Sequence, residues 1–164
     1  MDAKPWRSNP PDAYSIALGK LVANVATLEL ALRVVIYLSE VQPSQRQPVA
    51  RRLTALCAGD ELGESALTSW DSLTALIATY NRYNPNAAVP EDIGELRDAL
   101  AHGRVLTDSP DTNLRLIRFG KPRNGRVAVE RIEALSIDWL DRQINRLHDA
   151  VVLVHKRMRE LAPD

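Results

Sequence analysis

The sequence predicts a mainly α-helical protein, a bundle of about five helices with one β-hairpin inserted at roughly residues 113–132. Three observations favour this fold class. Leu, Ala and Val dominate a chain that is 45% hydrophobic but only 5% aromatic, which favours aliphatic helix packing over a β-sandwich. Long segments near both ends of the chain have helical apolar patterns. An Asn-Gly pair stands between two alternating segments, which is a strong hairpin signal.

The 164 residues are close to the size of one domain with its own core. Residues 1–12 hold three of the ten prolines and are predicted to form an extended arm, followed by a single helical domain over residues 13–164. The N-terminus has no apolar segment typical of a secretion signal, and no uninterrupted apolar run reaches the ~18 residues of a membrane span. The single cysteine, Cys57, excludes an internal disulfide. We therefore expect a cytoplasmic protein that does not associate with membranes.

The first helix is predicted over the segment DAYSIALGKLVANVATLELALRVVIYLSE, which is apolar on nearly every side and suits the centre of a bundle. Within it, Glu29 and Arg33 are four residues apart, in the favourable order for an ion pair. Two interpretations stay open. The pair is an internal salt bridge that fixes the helix, or Arg33 and Asn24 lie at the edge of a functional site.

Three shorter helices are predicted next, over residues 47–58, 65–82 and 90–102, each bounded by loops rich in Pro, Gly or Asn. The last of them has Pro90 in its first turn, acidic residues at its positive end and Gly103 at its C-cap.

A β-hairpin is predicted where the apolar period changes from helical to two, because LRLIRF and RVAVERI flank the turn sequence PRNG. Ser136 then caps a final helix, whose apolar residues recur three and four apart from Ile137 to Leu161. Such a narrow stripe suits a bundle seam or a dimer contact.

Overall charge is balanced at 21 basic and 21 acidic residues, so no global field directs the protein toward nucleic acid. Residues 113–131, however, carry a net charge of +5 and the rest of the chain −5. We expect basic residues here and just before the hairpin to contact an RNA backbone. These candidates are Arg104, Arg115, Arg118, Lys121, Arg123 and Arg126. Alternatively, the hairpin charges protect an edge strand from unwanted pairing. Phe119 is the only aromatic residue there, which argues against a base-stacking platform.

The segment ELRDALAHGRV, residues 95–105, holds the candidate catalytic residues Arg97, Asp98 and His102. Asp98 and His102 are four residues apart on one helix face, so the carboxylate can hydrogen-bond the imidazole and orient it. Arg97 can bind a phosphate through paired hydrogen bonds, and His102 can transfer a proton near neutral pH. These residue types suit phosphodiester cleavage by the substrate's own 2′-hydroxyl, with no metal or other cofactor. The alternative is structural: His102 caps the helix carbonyls and Arg97 pairs with nearby acids.

The stretch LRDALAHGRV resembles the R-x-x-x-x-H signature of HEPN (higher eukaryotes and prokaryotes nucleotide-binding) domains, with Arg97, Asp98 and His102 at the motif positions. The resemblance implies a small helical bundle, frequently a homodimer with two motifs facing across a cleft. It also implies a metal-independent endoribonuclease that acts on RNA in toxin, antiphage or RNA-processing roles, with an antitoxin or other protein partner. Because some family members only bind nucleotides, a non-catalytic RNA- or protein-binding module is the alternative.

Overall fold

The computed structural model describes residues 12–43, 46, 53–106 and 114–162, which form a mainly helical structure with one antiparallel sheet. In chain order, the elements are α1 (Asp12–Glu40), α2 (Leu73–Tyr83), a 3-10 helix (Pro85–Ala87), α3 (Asp92–His102), β1 (Arg104–Leu106), β2 (Leu114–Phe119), β3 (Val129–Leu135) and α4 (Ile137–Leu161). The mainly α fold class with a hairpin is confirmed. The predicted number of about five helices is too high for the described residues, which contain four α-helices.

The core lies between α1 and α4, with α2 and α3 packed beside them. Leu28, Leu32 and Val35 of α1 are fully buried, as are Leu140 and Leu147 of α4. Both long helices match their predicted extents because the signals at their ends are local. The Ser136 side chain accepts a hydrogen bond from the backbone N–H of Trp139 at 3.1 Å, as a helix N-cap does.

By length and composition, α1 is apolar enough to cross a membrane. Nine of its residues, however, are buried against the rest of the chain, on a helix that contacts both α4 and α2. Core helices of soluble proteins meet the same criteria of length and composition.

The predicted helix over residues 65–82 is wrong in its first eight residues, because the helix begins at Leu73. Ser72 is its N-cap, and the Ser72 hydroxyl accepts a hydrogen bond from Ala75 N at 3.3 Å. Backbone carbonyls of the preceding segment accept hydrogen bonds from the Arg33 side chain and not from the N–H groups of a helix. Its Trp70 side chain is fully exposed.

Arg33 binds this segment to α1. Its guanidinium donates to the carbonyl oxygens of Ser69 at 2.6 Å and Asp71 at 3.0 Å, with a longer bond to Ala66 at 3.4 Å. It also forms the predicted ion pair with Glu29, at 2.9 Å. The Arg33 side chain is only 12% exposed, so the structural interpretation of this pair is the one that the contacts support.

Two predicted segments lie largely outside the described residues. The N-terminal arm is one, apart from Asp12, which begins α1. The second helix, predicted over 47–58, is described only from residue 53, and its last four residues form turns and irregular chain instead of helix. Asp60 accounts for this break, because its carboxylate accepts a hydrogen bond from Cys57 N at 2.8 Å and closes a local turn.

The predicted hairpin is confirmed, and it belongs to a three-stranded sheet in the order β1, β2, β3. Asn124 and Gly125 have φ values of 51° and 73°, as the predicted Asn-Gly turn requires. The flanking Arg123 and Arg126 exchange two backbone hydrogen bonds of 2.8 and 3.0 Å. The sequence analysis missed β1, which has only three residues and follows directly on α3.

The sheet packs through a small second cluster formed by Ala99, Leu114, Leu116 and Leu135. Tyr14, near the start of α1, and Trp139, near the start of α4, both pack against this cluster. The two long helices therefore begin at the end of the molecule that carries the sheet.

A buried tyrosine lies at the opposite end of the core. The Tyr80 hydroxyl has no hydrogen-bond partner within the described residues. Burial raises the pKa of Tyr80 above its ordinary value of 10.0, while the charge of Arg157 opposes the shift and that of Glu160 adds to it.

We expect Tyr80→Phe to leave the free energy of unfolding at pH 7 unchanged or to raise it by about 1 kcal/mol, because it removes a buried, unpaired hydroxyl. The raised folded-state pKa means that wild-type stability falls once the pH passes the ordinary tyrosine pKa, where the unfolded chain ionises first. The variant lacks this loss, so its advantage grows at alkaline pH. Urea unfolding of both proteins at pH 7 and about pH 10.5 measures the two effects. A clear loss of stability in the variant at pH 7 would contradict the unpaired state of the hydroxyl.

Candidate active site

The helix that holds the motif, α3, is fixed against its neighbours by polar and close contacts. Arg146 of α4 donates two hydrogen bonds to the Asp92 carboxylate, at 2.6 and 2.8 Å. Gly94 faces α2 so closely that a Cβ atom there would overlap Thr74. These contacts determine where the last turn of α3, with the motif, meets the sheet.

Gly103 is the single residue between α3 and β1, and it is the C-cap that the sequence predicts. Its N–H donates to the Ala99 carbonyl at 2.8 Å, and its backbone is extended, with φ at −74°. The need for glycine here is spatial, because a Cβ atom would overlap the Ala99 carbonyl oxygen and would lie 2.5 Å from Leu116 Cδ1. The helix end therefore touches β2 directly.

Arg97 and Asp98 pair with each other. Arg97 Nη1 donates to Asp98 Oδ1 at 3.1 Å, and both side chains are about one-third exposed. Within the described residues no hydrogen bond joins Asp98 to His102, which the four-residue spacing had suggested. The adjacent arginine binds this carboxylate instead. A single bond still leaves most of the Arg97 guanidinium donors free for another ligand.

His102 is exposed at the end of α3 and lines a groove of about 830 Å³ between the helix end and the hairpin. Four of the predicted RNA-binding residues line the same groove, which we call the basic groove: Arg118, Lys121, Arg123 and Arg126. The structure therefore brings the candidate proton-transfer residue together with the hairpin cations, although 16 to 24 residues of sequence separate them.

The electrostatics of the basic groove favour an anionic ligand. Its lining has four basic side chains and a single acidic one, Glu130, which forms an ion pair with Arg118 at 3.5 Å. Lys121, Arg123 and Arg126 make no ion pair in the part of the chain that the structure describes. Three exposed cations are thus free to bind phosphates.

Four predicted site residues lie outside this lining: Arg97, Asp98, Arg104 and Arg115. Arg97 is on α3, five residues before His102, and is bound to Asp98. Arg104, on β1, places its guanidinium 5.2 Å from the centre of the Phe119 ring. Arg115 is exposed on β2, where it pairs with Leu106 across the sheet.

The sequence analysis missed part of the lining. Gly120 lies so close to Glu130 that a Cβ atom on it would be 2.5 Å from the carboxylate oxygen. Phe119, which sequence reasoning had set aside as a stacking residue, is a lining residue too. No local sequence pattern signals these positions, because they depend on the pairing of two strands.

Comparison of the chain with protein-family models, curated proteins and solved structures finds no match.

Substituting Gly103 tests the contact between the helix end and the sheet. We expect Gly103→Ala to lower the free energy of unfolding by about 1–3 kcal/mol, because the new methyl group overpacks against the Ala99 carbonyl and Leu116. Chemical denaturation measures the change. Gly63→Ala is the matched control, since a Cβ atom there meets nothing within 4 Å. Equal stabilities of the two variants would show that the junction has room for a side chain.

Proposed function

We propose that this protein is a metal-independent endoribonuclease of the HEPN type, in which His102 transfers protons at the ribose oxygens. The observation that carries the proposal is that His102 lines the basic groove. A histidine beside free arginine and lysine side chains is suited to a phosphodiester substrate, because the cations hold the phosphate while the imidazole moves a proton.

In the proposed reaction, His102 accepts the proton of a ribose 2′-hydroxyl, and the 2′-oxygen attacks the adjacent phosphorus. The bond from phosphorus to the 5′-oxygen breaks, and the leaving oxygen takes up a proton. The products are a 2′,3′-cyclic phosphate and a 5′-hydroxyl end. In this scheme Arg97 stabilises the negative charge that develops on the phosphate oxygens. Its pairing with Asp98 limits the orientations of the Arg97 guanidinium. Asp98 thus acts in this scheme on Arg97, in place of the contact with His102 expected from spacing.

The reaction needs one group that removes a proton and one that supplies it, whereas the groove of a single copy holds one histidine. We therefore include a homodimer in the proposal, with the two copies of His102 serving one scissile bond. Toxin, antiphage or RNA-processing roles in the cytoplasm, with an antitoxin or other protein partner, would follow from this activity.

A second candidate function is RNA binding without cleavage. It is favoured by the three free cations of the hairpin loop, which suffice for backbone binding whether or not His102 reacts. The two candidates share the groove and differ in the role of His102.

We expect wild-type protein in EDTA to cleave RNA in a mixture of single-stranded and structured molecules and to leave 2′,3′-cyclic phosphate ends, and His102→Ala to lose at least about 100-fold in rate. The His102 side chain is exposed and has no hydrogen bond or ion pair to the described residues, so thermal unfolding should be unchanged. His148→Ala, at an exposed histidine of α4, is the control and should retain full activity. Undiminished cleavage by His102→Ala would exclude the proposed mechanism, and intact RNA that still binds wild-type protein would favour the second candidate.

Charge reversal in the hairpin tests the groove as the RNA-binding surface. We expect the double substitution Arg123→Glu and Arg126→Glu to weaken RNA binding by more than about 10-fold and to reduce the slope of log affinity against log salt by about 1.4, the value for two lost phosphate contacts on a single strand. The matched control is Arg142→Glu with Arg159→Glu, which makes the same change in net charge on exposed residues of α4. Equal binding by both double variants would place the main RNA contact elsewhere.

A further inference from the structure

Phe119 is an exposed aromatic ring beside the candidate proton-transfer residue. It ends β2, is 40% exposed, and lines the basic groove together with His102. The Arg104 guanidinium lies 5.2 Å from the ring centre, a distance typical of a cation–π contact. Phe119 is among the residues that line the groove, and Arg104 is not.

A local irregularity of the sheet lies beside Phe119. The register shifts between Arg118 and Phe119: Arg118 pairs with Arg131 and Phe119 with Val129, so Glu130 is an extra residue in β3. A β-bulge of this kind bends and twists the strand that carries it. The bulge lies where β2 ends at the groove, and Arg118, Phe119 and Glu130 all line the groove. The groove therefore holds a cation and an aromatic ring side by side.

We propose that Phe119 stacks on an unpaired base of the RNA, so that the substrate is single-stranded at this position. The inference rests on the proposed function and adds the class of substrate to it. An aromatic ring accepts any base on its face, whereas the bases of a duplex are stacked on each other and out of reach. Lys121, Arg123 and Arg126 contact the adjacent phosphates, and His102 lies in the same groove as the stacked nucleotide.

The dimensions and charge of the groove agree with this ligand. Its volume of about 830 Å³ is within the range of sites that hold small ligands, and so exceeds what a phosphate alone would need. The lining combines cations with one exposed apolar ring, which is the combination found in sites for single-stranded nucleic acid. The Arg104 guanidinium, 5.2 Å from the ring centre, contributes a cation–π contact to the ring in the absence of RNA.

The test is equilibrium binding in the His102→Ala background, which separates recognition from cleavage. Fluorescence anisotropy would compare an unstructured, labelled RNA 12-mer with a fully paired RNA hairpin. We expect Phe119→Leu to weaken single-strand binding by about 5- to 100-fold, the range for the loss of one base–aromatic stack, and to leave hairpin binding unchanged. Phe119→Trp should retain tight binding, because it keeps an aromatic face. Ile132→Ala, at an exposed apolar residue of β3 outside the groove, should behave as the parent protein.

A change on the RNA side supplies a measurement that does not depend on the fold of any variant. Replacing single nucleotides of the 12-mer by abasic ones, one position at a time, should identify one position at which affinity falls in the parent protein but not in Phe119→Leu. Equal single-strand binding by Phe119→Leu and its parent would overturn the stacking inference, even if the wild-type protein cleaves RNA. Phe119-dependent binding without cleavage by wild type would instead uphold the inference and reject the nuclease.

Discussion

Burial of α1 is the constraint on which the rest of the structure depends. Leu21, Leu28, Leu32, Val35 and Leu38 of this helix are fully buried, and each such side chain contributes about 1.5–3 kcal/mol through its removal from water. One helix cannot bury these residues alone. The long stripe of α4 covers much of this surface, and α2 packs on another part of it. The sheet is then carried at the end where α1 and α4 begin, through the second apolar cluster.

The Arg33 guanidinium fixes the path of the irregular segment that precedes α2. Arg33 can bind an irregular segment because its planar guanidinium donates to several carbonyls at once, here those of Ser69, Asp71 and Ala66. Glu29 neutralises the charge of the Arg33 side chain, which is mostly buried. The polar contacts are thus satisfied without a helix, and the chain is directed to the cap of α2 at Ser72.

Elements with local signals could be predicted from the sequence, and elements with tertiary causes could not. The Ser136 cap and the apolar pattern after it predict α4, and Asn124 with Gly125 predicts the hairpin turn. The irregular chain before Ser72 escapes prediction because its hydrogen bonds go to α1, far away in sequence. At the site, the sequence indicates His102 and the hairpin cations separately. It cannot indicate that Phe119 joins them, since that depends on how the end of β2 lies beside the end of α3.

The junction at Gly103 joins the candidate active site to the least supported part of the sheet. With only Gly103 between them, His102 cannot shift far without moving β1, an edge strand of three exposed residues that pairs on one side only. Segments with few buried apolar contacts open locally at a lower free-energy cost than the core of a folded protein. Fraying of β1 would therefore carry the histidine away from the hairpin, whereas any ligand that spans both sides of the groove would hold the strand in place. In this arrangement, the ordering of β1 and the binding of a ligand in the groove are coupled to each other.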